Sequence, residues 1–91
     1  MKIFVYLLEP ITERSIKTPI VPEHLAHLDN LRTKGILVVS GGFEDRSGGL
    51  VALNAENLAE AEEIANSDPF ILHKVDRIVW VKEWNLHIVE K

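Results

Sequence analysis

The chain has 91 residues, 46% hydrophobic and 26% charged, with no cysteine and a net charge of −4 at pH 7. That length predicts a single domain, residues 1–91, around one core; no apolar run nears the roughly 20 residues that cross a bilayer, and the acidic balance argues against a nucleic-acid partner, which needs a basic face. Without cysteine there is no disulfide, thiolate zinc site or cysteine nucleophile, so stability must come from packing or oligomerisation.

Residues 3–8 form an unbroken apolar run, Ile3-Phe4-Val5-Tyr6-Leu7-Leu8. It is too short and lacks the small-residue cleavage pattern of a signal peptide, so a buried central strand and a cytoplasmic location are expected. Residues 10–21, punctuated by Pro10 and Pro19, read as a loop. A helix is predicted from about Pro22 to Lys34. Proline suits its first turn, Glu23 faces the positive end of its dipole and Gly35 stops it. Leu25, Leu28 and Leu31 give this helix an apolar stripe.

Ile36 to Ser40 read as the second strand and Leu50 to Leu53 as the third. Between them lies a loop holding four of the chain's five glycines, which suggests an antiparallel hairpin. Asn57 followed by Glu60 has the pattern of a capping box, and Leu58, Ala61, Ile64 and Ala65 continue as a second helical stripe. Asp68-Pro69-Phe70 reads as a fresh N-cap and a short helix ending near His73. Residues 77–89 return to strand character, with Ile78, Trp80, Trp84, Leu86 and Ile88 expected on one face and a bend at residues 82–85. The order β-α-β-β-α-β is the split βαβ of an α+β, ferredoxin-like fold. Two helices on one sheet face leave the other apolar face bare, which predicts a homodimer closing into an α/β barrel.

Two residues could carry chemistry. His24 lies in the opening turn of the first helix, near the rim of the core, and its ordinary pKa near 6.5 suits proton transfer; it could equally be a half-buried packing histidine. Asp68 could be simply an N-cap, but the topology also lets it reach His24 and fix the imidazole tautomer. The glycine-rich loop joins strand to strand, the wrong context for a phosphate loop. His24 and His27 sit one helical turn apart, yet two histidines without a third ligand make a poor metal site, and none is assigned.

Taken together, Pro22-Glu23-His24-Leu25-Ala26-His27-Leu28, Gly35-Ile36-Leu37, Ser40-Gly41-Gly42, Gly48-Gly49 and Asp68-Pro69-Phe70 resemble the YCII (YciI-like) family in order and spacing. The resemblance spans nearly the whole chain. It implies a dimeric α+β barrel with a pocket beside the first helix, in which His24 and Asp68 form the proposed catalytic pair. Gly41, Gly42 and Phe70 would line the same pocket and contact the substrate. It further implies a cofactor-independent enzyme of lyase or isomerase type acting on a small cyclic or aromatic compound; the alternative is a non-catalytic small-ligand-binding or interaction module. Many relatives carry a basic residue where this chain has Val21, so an anionic substrate would have to be held by Arg14, Lys17 or Arg46. Where many relatives have a proline, this chain has Phe43 after Gly42.

Overall fold

A computed structural model of the chain describes residues 1–87. Its elements are β1 (Lys2–Pro10), α1 (Arg14–Lys17), a 3₁₀ turn (Thr18–Ile20), α2 (Val21–Thr33), β2 (Leu37–Gly42), β3 (Gly49–Ala55), α3 (Leu58–Asn66), α4 (Pro69–Leu72) and β4 (Asp76–Glu83). The four strands form one sheet in the order β2-β3-β1-β4, and each neighbouring pair is antiparallel. This is the α+β ferredoxin-like arrangement that the element order predicts. Among the described residues, no helix is long and apolar enough to cross a membrane.

Period-two alternation decides which residues of the central strands meet the helices. Phe4, Tyr6 and Leu8 of β1 point to the helical side, as do Val51, Leu53 and Ala55 of β3, and the register sets Phe4 opposite Leu53 and Tyr6 opposite Val51. Leu28 and Leu31 of α2 close over them, joined by Ala61 and Ala65 of α3, Phe70 and Val75. The two alanines, one turn apart, let the backbone of α3 approach the sheet closely.

The helix ends are built as their sequences suggest. Gly35 adopts φ +74°, Ile36 N–H donates to Leu31 C=O at 2.8 Å, and Gly35 N–H donates to Arg32 C=O at 3.0 Å, a Schellman end to α2. Asn57 Oδ1 accepts the Glu60 N–H at 2.9 Å, and the returning Glu60 carboxylate takes the N–H of Glu56 rather than that of Asn57.

Four expectations need correction. Residues 10–21 are not a loop: β1 runs to Pro10, and α1 and the 3₁₀ turn follow, with Pro19 seated in the first turn of the latter. A four-residue helix is too short to show a hydrophobic period. Leu25 is not part of the packed stripe but 56% exposed, whereas Leu28 and Leu31 are buried. The hairpin strands reach Gly42 and Gly49, so the loop is shorter than expected. In β4 the alternation breaks: Leu7 pairs with Trp80 but Leu8 pairs with Ile78, so Val79 is a bulge residue, and both Ile78 and Val81 pack on the core. The strand assignment of Ile88 and Val89 lies outside the described residues.

Candidate functional site

The chain turns sharply where α3 ends. Asp68 precedes Pro69, which disfavours a helical backbone at residue 68; its φ of −62° and ψ of 129° are extended. The side chain thereby turns back to cap α4, its Oδ1 accepting the Phe70 N–H at 3.0 Å. The same Oδ1 lies 2.8 Å from His24 Nδ1, and Oδ2 accepts the Tyr6 hydroxyl at 2.8 Å. One fully buried carboxylate thus ties together β1, α2 and α4. A second tie, His73 Nε2 to Glu23 Oε2 at 2.7 Å, holds α4 against α2 from the outside.

Burial is the largest influence on Asp68 and opposes its charge. The hydrogen bonds from His24, Phe70 N–H and Tyr6 outweigh it, so its carboxyl is held below the usual value. Tyr6 shifts upward, first through burial and then through the neighbouring Asp68 charge, and stays a neutral donor. With Asp68 accepting at Nδ1, the neutral His24 ring carries its proton there and its lone pair on Nε2, the tautomer a general base requires. The imidazole also stacks on Phe70, centroids 3.9 Å apart and planes 11° from parallel, which restrains its rotation.

A cavity of about 370 Å³ opens at this point, lined by His24, Phe70, Gly41, Gly42, Lys17 and Asp76 among others. That volume suits a single small ring compound. A neighbouring cavity of about 650 Å³ shares Lys17, Gly42 and Gly48 with it and carries Arg14 and Arg46 on its wall. His27, the other histidine of α2, has its Nε2 buried and unpartnered among the described residues; burial, more than any charge, pushes its pKa down. Among the described residues no three His, Cys, Asp or Glu side chains are placed to hold a metal ion.

The structure therefore gathers His24, Asp68, Phe70, Gly41 and Gly42 around one site. Three residues there escape the sequence reading: Tyr6, Asp76 and the placement of Lys17. Tyr6 hides in an apolar run, though a buried tyrosine hydroxyl always demands a partner. Lys17 stands out only as one of three candidate cations. Asp76 has no local signal, because its burial depends on tertiary packing.

The YCII-related domain model matches residues 3–85. The chain belongs to the YCII-related domain family. It is 30% identical over 83 residues to the uncharacterized protein YjpA of Bacillus subtilis, a match covering 91% of this chain and 96% of that one. Among solved structures it resembles the 5-chloro-2-hydroxyhydroquinone dehydrochlorinase TftG of Burkholderia phenoliruptrix, in complex with 2,5-dihydroxybenzoquinone. There the TM-score is 0.73 at 21% identity, over 93% of this chain and 94% of that chain. At that identity the likeness establishes the shared fold.

Proposed function

We propose that this YCII-related protein is a cofactor-independent enzyme that moves protons on a small cyclic or aromatic compound, by lyase or isomerase chemistry. His24 is the acid–base group, Asp68 orients it, and Gly41, Gly42 and Phe70 form the substrate wall. The reading is carried by one observation: a His24 ring whose Nδ1 is 2.8 Å from a buried carboxylate, set in the wall of a small cavity. His24 Nε2 removes a proton from the substrate, and the imidazolium formed is balanced by Asp68. The same Nε2 then returns the proton to another atom or to a leaving group. Stacking on Phe70 keeps the ring in place between the two steps. The dehydrochlorinase of like fold acts on a hydroxylated, chlorinated ring, which makes such rings the first substrates to offer. A homodimer formed through the open sheet face, located in the cytosol, completes the proposal.

The test is proton exchange in D₂O, followed by NMR over a panel of hydroxylated and halogenated quinols and quinones. The parent protein should exchange or transform at least one of them. General acid–base groups contribute about 10²–10⁴-fold, so His24→Gln should lose at least about a hundredfold while keeping its melting temperature. A variant that works within tenfold of the parent would falsify the assignment. Ligand-induced stabilisation without exchange or product would instead mark a binding module.

A further inference from the structure

Lys17 occupies a position that a surface lysine has no reason to take. It ends the four-residue helix α1, whose other residues are not buried, yet its side chain is only 23% exposed. Its Nζ lies 3.0 Å from Asp76 Oδ1 and 4.5 Å from the centroid of the Phe70 ring, the ring on which His24 stacks. Among the described residues lining the smaller cavity, Lys17 is the sole lysine or arginine, and it also lines the larger one, so it stands where the two cavities meet.

Asp76 explains how the lysine is held. It opens β4 and is 3% exposed; among the described residues Lys17 Nζ is the close charged partner of its Oδ1, and its Oδ2 has no hydrogen-bond partner. At that distance the ammonium and the carboxylate form a charge-assisted contact that partly offsets the burial of Asp76. A buried carboxylate with a single charged partner and one oxygen unpartnered is a poor way to stabilise a fold. A side chain kept at such a cost beside a cavity is more readily understood through what it positions.

We propose that the Lys17 ammonium is the anion-stabilising group of this cavity, that Asp76 positions it, and that the substrate is a ring compound whose deprotonated form is a phenolate or enolate. This deepens the acid–base reading of His24 and rests on it for the origin of the charge. An O–H bond, or a C–H bond beside a carbonyl, breaks; the proton goes to His24 Nε2, and the electron pair stays on the substrate, delocalised onto oxygen. The imidazolium faces Asp68 and the new oxyanion faces Lys17, so each charge created by the transfer meets a fixed opposite charge in a site partly shielded from water. No electron acceptor or further reactant is needed.

The experiment uses 4-nitrophenol, which cannot eliminate and whose absorbance distinguishes bound phenol from bound phenolate. The parent protein should bind it as the phenolate. Charge-assisted hydrogen bonds are strong enough that Lys17→Met should raise the phenolate Kd about tenfold or more, whereas Lys17→Arg should retain most of the affinity. Asp76→Asn should weaken phenolate binding severalfold without lowering the melting temperature, as befits a positioning residue. Lys17 lies outside the core, so a fold check by circular dichroism should find Lys17→Met native. Failure of the parent to bind the probe, binding of the neutral phenol, or unchanged phenolate affinity in Lys17→Met overturns the proposal. The acid–base reading is tested by turnover in His24→Gln and this one by the ionisation of an unreactive probe, so each can fail alone.

Discussion

Asp68 and Asp76 are both buried, yet their surroundings pull them in opposite directions. Asp68 has three hydrogen-bond donors around it and a pKa below the ordinary carboxylate value of 3.8. Its contribution to stability is therefore present above that value and lost as the pH falls through the lower, folded-state one. In Asp76, burial dominates and raises the pKa; Lys17 and, more weakly, His24 oppose the rise, and the charge of Asp68 adds to it. Below 3.8 Asp76 is protonated in both states and contributes nothing. As the pH climbs above that point the unfolded chain ionises first, so stability falls until the folded-state value is passed, and the deficit persists at neutral pH. Asp76→Asn should accordingly melt at pH 7 at the parent's temperature or a few degrees above it, since about 1 kcal/mol moves a domain of this size by roughly 4–8 °C. Melting several degrees lower would mean that the carboxylate supports the fold after all. At this scale the sequence was only partly legible. His24 and Asp68 stand in recognisable local settings, a helix start and a cap before proline. Tyr6 and Asp76 acquire their meaning from residues 62 positions away in one case and from a lysine of a distant helix in the other.

Elements position the site through backbone contacts as much as through side chains. The β2–β3 hairpin lies against β1 so closely at Gly48 that a Cβ there would sit 2.2 Å from the Leu8 carbonyl oxygen. The backbone must shift to relieve that overlap, because the obstacle is itself a paired strand, with Leu8 opposite Gly49. Gly41 is different: a Cβ added there meets nothing within 4 Å. Gly48→Ala should therefore cost on the order of 1–3 kcal/mol, the range of a forced backbone displacement. Gly41→Ala should stay within about 0.5 kcal/mol of the parent, as substitutions at unobstructed positions do. Urea denaturation of the two variants measures the contrast, and equal midpoints would show that the hairpin is not seated by this contact. The glycine cluster was legible as a hairpin, but composition alone could not separate the glycine that the packing demands from the one it merely permits. The bulge at Val79 was hidden for a related reason. An alternating run gives no hint of where one extra residue will be inserted, and that insertion decides whether Ile78 or Val79 turns inward.

Among the described residues the molecule is a single sheet with its helices on one side. Across the face turned away from them, the register aligns Val39, Ala52, Val5 and Lys82 in one row and Gly41, Leu50, Leu7 and Trp80 in the next. Val5 and Ala52 are already buried within the single chain, while Val39 at the edge strand is 56% exposed. An apolar sheet face of this kind is usually covered in a soluble protein, and a second copy supplies a surface of matching shape and chemistry through a two-fold axis. The β-α-β-β-α-β order already implied this half-covered sheet, which is why the architecture could be read so much further than the site. The proposed dimer has a direct measurement. Sedimentation equilibrium of the parent should give twice the chain mass of 10.3 kDa, and Val39→Asp should shift the equilibrium toward the single-chain mass. A carboxylate there is tolerated by the exposed edge of a lone subunit, but in an apolar interface it must be desolvated without a partner, at a cost of several kcal/mol. The melting temperature of the separated subunits at high dilution controls for damage to the monomer. A parent protein that sediments at 10.3 kDa at every concentration up to the highest attainable would leave this face open to water, and the paired barrel would have to be abandoned.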